Sequence, residues 1–170
     1  MHDSPKVSIV MGSKSDLETL KEAAAVLKWF GVSHELRVIS AHRTPEAART
    51  YGLSAEERGV RVIIAGAGKA AHLAGVVASL THLPVIGVPM TTSDLGGLDS
   101  LLSMVQMPGG IPVATVAIGK AGAKNAALLA VAMLALGDAT LRRLLIDYRA
   151  KMTEAVVEED AALQEAGVPV

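Results

Sequence analysis

The chain has 170 residues, a formal net charge of −1 and no cysteine. That excludes disulfides, thiolate metal sites and cysteine nucleophiles, and it leaves no electrostatic footprint for nucleic acid or an anionic membrane surface. Hydrophobic residues make up 51% and aromatic residues 2%, so Ala, Val, Leu and Ile must fill the core, which suits helices lying close on a parallel sheet.

Residues 6–11 (KVSIVM) read as a first strand ending in Gly12-Ser13-Lys14-Ser15-Asp16. Apolar steps at Leu17, Leu20, Ala24, Leu27 and Phe30 then predict a helix, stopped by Gly31. Residues 34–39 (HELRVI) form a second strand closed by Ser40-Ala41-His42-Arg43-Thr44-Pro45. Thr44 suits an N-cap and Pro45 the first helical position of a helix running to about Arg58, with Gly59 as its stop. The stretch 62-VIIAGAGKAAHLAGV-76 is the centre of the chain: a buried strand, a turn at Gly66 and Gly68, and a helix from near Lys69 to about Leu80 with His72 in its first turns.

Residues 84–88 predict a fourth strand, 89–97 a polar loop and 98–105 a short helix. Pro108-Gly109-Gly110 makes a turn before a fifth strand over 112–118. Residues 125–136 read as an Ala/Leu helix, apolar on nearly all sides and therefore buried, between subunits as one option, with Gly137 as its end. Residues 138–166 predict a long amphipathic helix, either capping its own subunit or packing as an arm on a neighbour. The alternation predicts an α/β fold, a parallel sheet covered on both faces, as one domain over 1–170 with a core at 6–136 and a helical arm at 138–166. The start MHDSPKVSIV lacks a signal-type pattern, and His82, Pro84, Gly87 and Pro89 interrupt the uncharged run near 70–93. A cytoplasmic protein without a membrane span is therefore expected. The apolar excess also favours self-association.

In open parallel sheets ligands bind outside the carboxyl ends of the strands, and three such ends here carry polar or glycine turns, expected to meet at one site. In the first turn, Gly12 and the hydroxyls of Ser13 and Ser15 can hold phosphate oxygens, and Asp16 can accept two hydrogen bonds from a sugar diol; plain helix capping is the alternative. In the second, Arg43 can clamp a phosphate, while histidine is the side chain that carries protons near neutral pH, which makes His42 the candidate acid/base. A structural histidine and a surface salt bridge are the alternatives there. His72 is either a ligand contact or an interface histidine. His34 and His82 read as structural and His2 as part of a loose terminus. Residues 104–108 read as a helix end and core packing, with a substrate loop as the other option. No histidine spacing suits a metal, and neither a phosphate-binding G-x-x-x-x-G-K loop nor a G-x-S-x-G elbow occurs.

With these residues in hand, the chain resembles the PurE family over about residues 6–135, through VSIVMGSKSD, VISAHRTP, VIIAGAGKAAHLAGV and LDSLLSMVQMPGGIPVATVAIGKAGAKNAALLA. The form SAHRTP resembles the bacterial mutase class; the class that carboxylates aminoimidazole ribonucleotide directly more often carries SAHKT. The resemblance implies a flavodoxin-like three-layer sandwich, a homo-octamer with sites between subunits, and 5-(carboxyamino)imidazole ribonucleotide mutase activity in purine synthesis without a cofactor. It implies that Ser13 and Arg43 bind phosphate, that Asp16 contacts ribose, that Ser15 and Ser40 support them, and that His42 is the acid/base. It also implies that Gly68 and its neighbours close over the imidazole and carboxylate, with His72 in the same segment. Relative to the familiar form AGAGGAAHLPG, Lys69 replaces Gly and Ala74 replaces Pro. Lys69 either extends to solvent or favours the carboxylate or released carbon dioxide.

Overall fold

The computed structural model describes residues 4–167; His2 lies outside them. Among the described residues, five strands form one parallel sheet in the order β2-β1-β3-β4-β5: β1 (Val7–Met11), β2 (His34–Val38), β3 (Val62–Ala67), β4 (Val85–Pro89) and β5 (Ala114–Thr115). Six α-helices connect or follow them: α1 (Leu17–Trp29), α2 (Pro45–Ser54), α3 (Leu73–Ala78), α4 (Leu98–Val105), α5 (Gly119–Leu134) and α6 (Ala139–Glu165). The β-branched runs in β1, β3 and β4 are buried along their whole length, as a sheet covered on both faces requires, whereas the edge strand β2 is half open.

The strand pleat sorts the core into two layers. Val7, Ile9, Met11, Val62, Ile64, Ile86 and Val88 pack against α1 and α5. Val10, Ile63, Ala65, Ala67 and Val85 pack against α2, α3 and α4. This is the expected flavodoxin-like sandwich. Close packing depends on small residues: a Cβ on Gly66 would lie 2.7 Å from Leu20 Cδ1 and 2.8 Å from Met90 Cε. Connections leave β1 toward one sheet edge and β3 toward the other, so the carboxyl ends of β1 and β3 flank a switch-point crevice.

The element boundaries depart from the sequence reading in four places. The regular part of α2 ends at Ser54, and residues 55–59 are turns that reach the expected stop at Gly59. The helix expected near Lys69 begins only at Leu73, with His72 at its N-cap position. The expected strand over 112–118 shrinks to Ala114–Thr115, because Pro112 has no N–H to pair and β5 is a sheet edge. Finally, α5 starts already at Gly119, and within the single chain it buries one stripe, Gly122, Ala123, Ala126, Ala127, Ala130 and Val131.

The first turns of the C-terminal helix cap their own chain, one of the two arrangements expected for it. Asp138 caps α6 through its carboxylate, which accepts from the N–H groups of Thr140 and Leu141 at 3.0 Å. Leu141, Leu144, Leu145 and Tyr148 pack on this chain's own core, and the Tyr148 ring stands 5.4 Å from Trp29 and 5.6 Å from Phe30. Past Tyr148, Met152, Val156, Val157 and Leu163 are each more than half exposed. Among the described residues no helix is long and apolar enough to cross a membrane.

Candidate active site

The three turns singled out in the sequence meet at the crevice. Backbone bonds lace the strand ends together: Gly12 N–H donates to the Gly66 carbonyl at 3.1 Å, and Ile39 N–H donates to the Met11 carbonyl at 2.9 Å. Arg43 then crosses between turns, its Nη2 donating to the Gly12 carbonyl at 2.8 Å and its Nε to Ser40 Oγ at 3.3 Å. Among the described residues no carboxylate pairs with Arg43. Its guanidinium is held in place with its charge uncompensated by a salt bridge.

The first turn divides its residues between capping and availability. Ser13 caps the single 3-10 turn Lys14–Asp16, accepting from Ser15 N–H at 3.3 Å and from the Ser15 hydroxyl at 2.9 Å. Asp16 occupies the N-cap position of α1 yet makes no capping bond. Among the described residues its one side-chain partner is the Ser15 hydroxyl, which donates at 3.3 Å. Burial pushes the Asp16 carboxyl above the ordinary aspartate range, opposed by hydrogen bonds from Ser15 and Ser13 and by the nearby charge of Arg43. So capping accounts for Ser13 but leaves the Asp16 carboxylate free for a ligand.

The second turn departs from its expected chemistry. Thr44 sits at the N-cap of α2 and Pro45 follows, but Thr44 makes no capping bond. Its hydroxyl turns back to Ser40, donating to the Ser40 carbonyl at 2.9 Å and accepting from Ser40 N–H at 3.0 Å. Ser40 Oγ in turn accepts from Arg43 N–H at 3.2 Å. These bonds shape the loop that presents His42. The His42 Nε2 lies 2.9 Å from His72 Nδ1, with the rings edge-to-face at 5.0 Å between centroids. One of the two nitrogens carries the shared hydrogen. Both rings are exposed in the single chain.

The third turn explains Lys69. Its φ is +60°, the left-handed region, where a side chain costs about 1 kcal/mol and glycine costs little. The glycine usual at that position in the resembling family fits this geometry. The Lys69 side chain extends largely into solvent, as one reading expects, and its Nζ is bonded there to Asp94 at 2.6 Å. A fourth turn, 89–97, also reaches the site and was read from the sequence only as a polar loop. Its residues Met90, Thr91, Thr92 and Ser93 line a cleft of about 480 Å³ together with Gly12, Ser13, Ser15, Asp16, Ser40, His42, Arg43, Gly68 and Lys69. Its position at the carboxyl end of β4 was the available signal.

Among the described residues, the other two histidines do not line the cleft. His34 bonds the Val32 carbonyl at 2.9 Å, a structural contact, and His82 is exposed in the turn before β4. Met104 is fully buried in the second core layer, as expected. Among the described residues no three His, Asp or Glu side chains are grouped to hold a metal ion.

Against this geometry, the family model described as AIR carboxylase matches residues 6–155. The chain belongs to the AIR carboxylase family. A Thermotoga maritima relative named N5-carboxyaminoimidazole ribonucleotide mutase is 54% identical over 163 residues, 96% of this chain and 94% of that protein. A Vigna aconitifolia relative named phosphoribosylaminoimidazole carboxylase, chloroplastic, is 53% identical over 172 residues, 98% of this chain but 30% of that protein. The crystal structure of Treponema denticola PurE superposes with a TM-score of 0.84 at 32% identity, covering 94% of this chain and 98% of that one. The family match spans all the cleft turns and the first half of α6, so the crevice lies within the family's shared fold.

Proposed function

We propose that this chain is an N5-carboxyaminoimidazole ribonucleotide mutase of purine biosynthesis. It moves a carboxylate from the exocyclic nitrogen of 5-(carboxyamino)imidazole ribonucleotide to the neighbouring ring carbon, giving 4-carboxy-5-aminoimidazole ribonucleotide. The observation that carries this reading is a cleft lined both by His42, bonded to His72, and by a tethered Arg43 that has no salt-bridge partner among the described residues.

In this reading the phosphate binds Arg43 and the Ser13–Ser15 turn, where a guanidinium and first-turn N–H groups favour an anion. Asp16 accepts hydrogen bonds from the ribose diol, and Ser40 holds the loop that carries His42 and Arg43. Phosphate binding remote from the chemistry orients the ring. Gly68 and the Lys69 turn cover the heterocycle. The N–CO₂ bond breaks as His42 gives a proton to the nitrogen, leaving an electron-rich aminoimidazole and carbon dioxide. Ala67, Leu73 and Met90 supply apolar wall against which that molecule is held. A new C–C bond then forms at the ring carbon, and His42 takes back the proton which that carbon must lose. His72, bonded to His42, fixes the ring's orientation. No cofactor enters the scheme.

The exposure of both histidines and of α6 beyond Tyr148 supports a site completed by self-association, for which a homo-octamer is our proposal. We read residues 1–170 as one cytoplasmic unit, with α6 as the arm that joins subunits. The test is direct: purified protein is given the carboxyamino ribonucleotide, and separately aminoimidazole ribonucleotide with bicarbonate. Rapid isomerisation of the first with slow turnover of the second is expected. The reverse pattern favours the direct carboxylase, a reading that the name of the plant relative keeps in play. Tight nucleotide binding with neither reaction leaves a non-catalytic nucleotide-binding oligomer.

A further inference from the structure

Lys69 stands in a conformation that glycine adopts without strain, and strained residues persist where their surroundings hold them. Its backbone is fixed from α4: Lys69 N–H donates to the fully buried Ser100 hydroxyl at 3.0 Å, and its carbonyl accepts from Ser103 Oγ at 3.3 Å. From this fixed base Nζ reaches across to Asp94 at 2.6 Å. Asp94 sits near the tip of the 91–97 loop, whose foot is closed separately: Thr92 Oγ1 accepts from Gly97 N–H at 3.1 Å and donates to Asp99 at 3.0 Å. Gly96 and Gly97 both have positive φ, +63° and +100°, conformations that glycine adopts readily and that turn the loop sharply beside its foot. Among the described residues, the Lys69 bond is the only side-chain hydrogen bond linking residues 93–96 to another element.

We propose that the Lys69–Asp94 ion pair is a positioning device that holds the 91–97 loop across the cleft, so that Thr91, Thr92 and Ser93 face the bound nucleotide. The pair acts by placing the loop, not on the reacting atoms. The proposal rests on the cleft being the nucleotide site. It assigns the lysine a purpose that glycine could not serve: a tie between the glycine turn and the neighbouring strand's loop, two of the walls that enclose the substrate.

The experiment uses the full chain as parent, K69G, K69R, D94N and the K69G/D94N double variant. Hydrogen exchange of the unliganded proteins reads the loop, and titration with aminoimidazole ribonucleotide reads the site. In K69G and in D94N, exchange of the 91–97 amides is expected to rise, and nucleotide affinity to fall, by about fivefold each, the upper range for an exposed ion pair. The double variant is expected to match the singles, and K69R to restore affinity and protection. The melting temperature of K69G is expected to be no lower than the parent's, because glycine relieves the left-handed strain. A purely structural lysine would lower stability and affinity together. Parent affinity in both single variants, effects that add in the double, or a K69R as weak as K69G would each overturn the proposal. If the parent binds the nucleotide but does not isomerise the carboxyamino substrate, the assigned reaction fails while the loop results stand. A parent that binds no nucleotide overturns both.

Discussion

Two polar clusters share β1, β2 and α2 with their adjoining turns, the second drawing His72 from the N-cap of α3 as well, and they lie about 13 Å apart along β1. One is closed. Ser8, fully buried in mid-strand, donates to Glu35 Oε1 at 2.8 Å and accepts from the Tyr51 hydroxyl at 2.6 Å; Arg58 Nη1 completes the set at 2.6 Å from the same Glu35 oxygen. The Arg58 guanidinium also lies over the Tyr51 ring, 5.3 Å from its centroid, and only its Nη2 is buried without a partner among the described residues. The other cluster, at the strand ends, is open: Arg43 lacks a carboxylate, Asp16 caps nothing, and His42 has only another exposed histidine. A serine, a carboxylate and an arginine thus serve opposite ends. Satisfied inside the protein, they stabilise it; at the crevice their hydrogen-bonding capacity is left partly unused among the described residues, which is the basis of the proposed ligand site.

That contrast breaks if variants in the open cluster unfold the protein, or if variants in the closed one abolish turnover. The largest effect is expected at His42. His42→Asn should lower mutase turnover by at least about a hundredfold, the low end of general acid–base effects, with nucleotide affinity and melting temperature near the parent's. Near-parent turnover would remove His42 from proton transfer. Next is Arg43→Ala. Losing charge-assisted bonds to a phosphate should weaken nucleotide binding by about ten- to a hundredfold, read by titration, again without a matching loss of stability. Unchanged affinity would mean that the phosphate lies elsewhere.

How much of this was legible in the sequence differs between the clusters for a physical reason. The open one announced itself locally, because glycine, serine and histidine at strand ends have few structural uses in that combination, and all three turns were found. The fourth wall, 91–97, was not recognised, since MTTSDLGG carries no motif and matters only because β4 lies beside β3. The closed cluster could not be read at all: Ser8 faces Glu35 only through the β1–β2 register, and Tyr51 reaches them from across the layer. The same holds for boundaries. Glycine stops such as Gly31 were visible because a positive φ is a local demand. The shortness of β5 and the late start of α3 depend on neighbours: an edge position for the first, and for the second a lysine held left-handed by α4.

The closed cluster also sets expectations for pH. Burial raises the Tyr51 hydroxyl from its ordinary 10.0 to about 12, with the nearby Glu35 charge adding to that and the Ser8 bond and the Arg58 charge opposing it. A raised folded value favours the protonated form, so this contribution to stability is complete below about pH 10 and is lost as pH rises toward about 12. Glu35 runs the other way. Burial pushes its carboxyl up, but the bonds from Arg58 and Ser8 and the charges of Arg58 and Arg37 outweigh that and hold it below the ordinary glutamate range. Its contribution is complete above that range and fades as pH falls through it. Melting temperature against pH should therefore show a plateau that declines at both ends, the alkaline limb belonging to Tyr51.

The smallest effect is expected from Tyr51→Phe, and it sharpens the comparison most. The substitution removes one hydroxyl from a site where Ser8 keeps its bond to Glu35, so no buried charge is orphaned. The loss is that of one neutral hydrogen bond, about 1 kcal/mol, or about 2–4 °C in melting temperature for a chain of this size. The ring stays in place against the second core layer and beneath Arg58, which limits any cavity. Turnover and nucleotide affinity should match the parent, because the cluster shares strands with the cleft but no hydrogen bond. The alkaline limb should shrink in the same variant, since its titrating group is gone; a limb of undiminished size would assign it to other groups, and a fall in turnover at unchanged affinity would show that the two clusters are coupled through β1 after all.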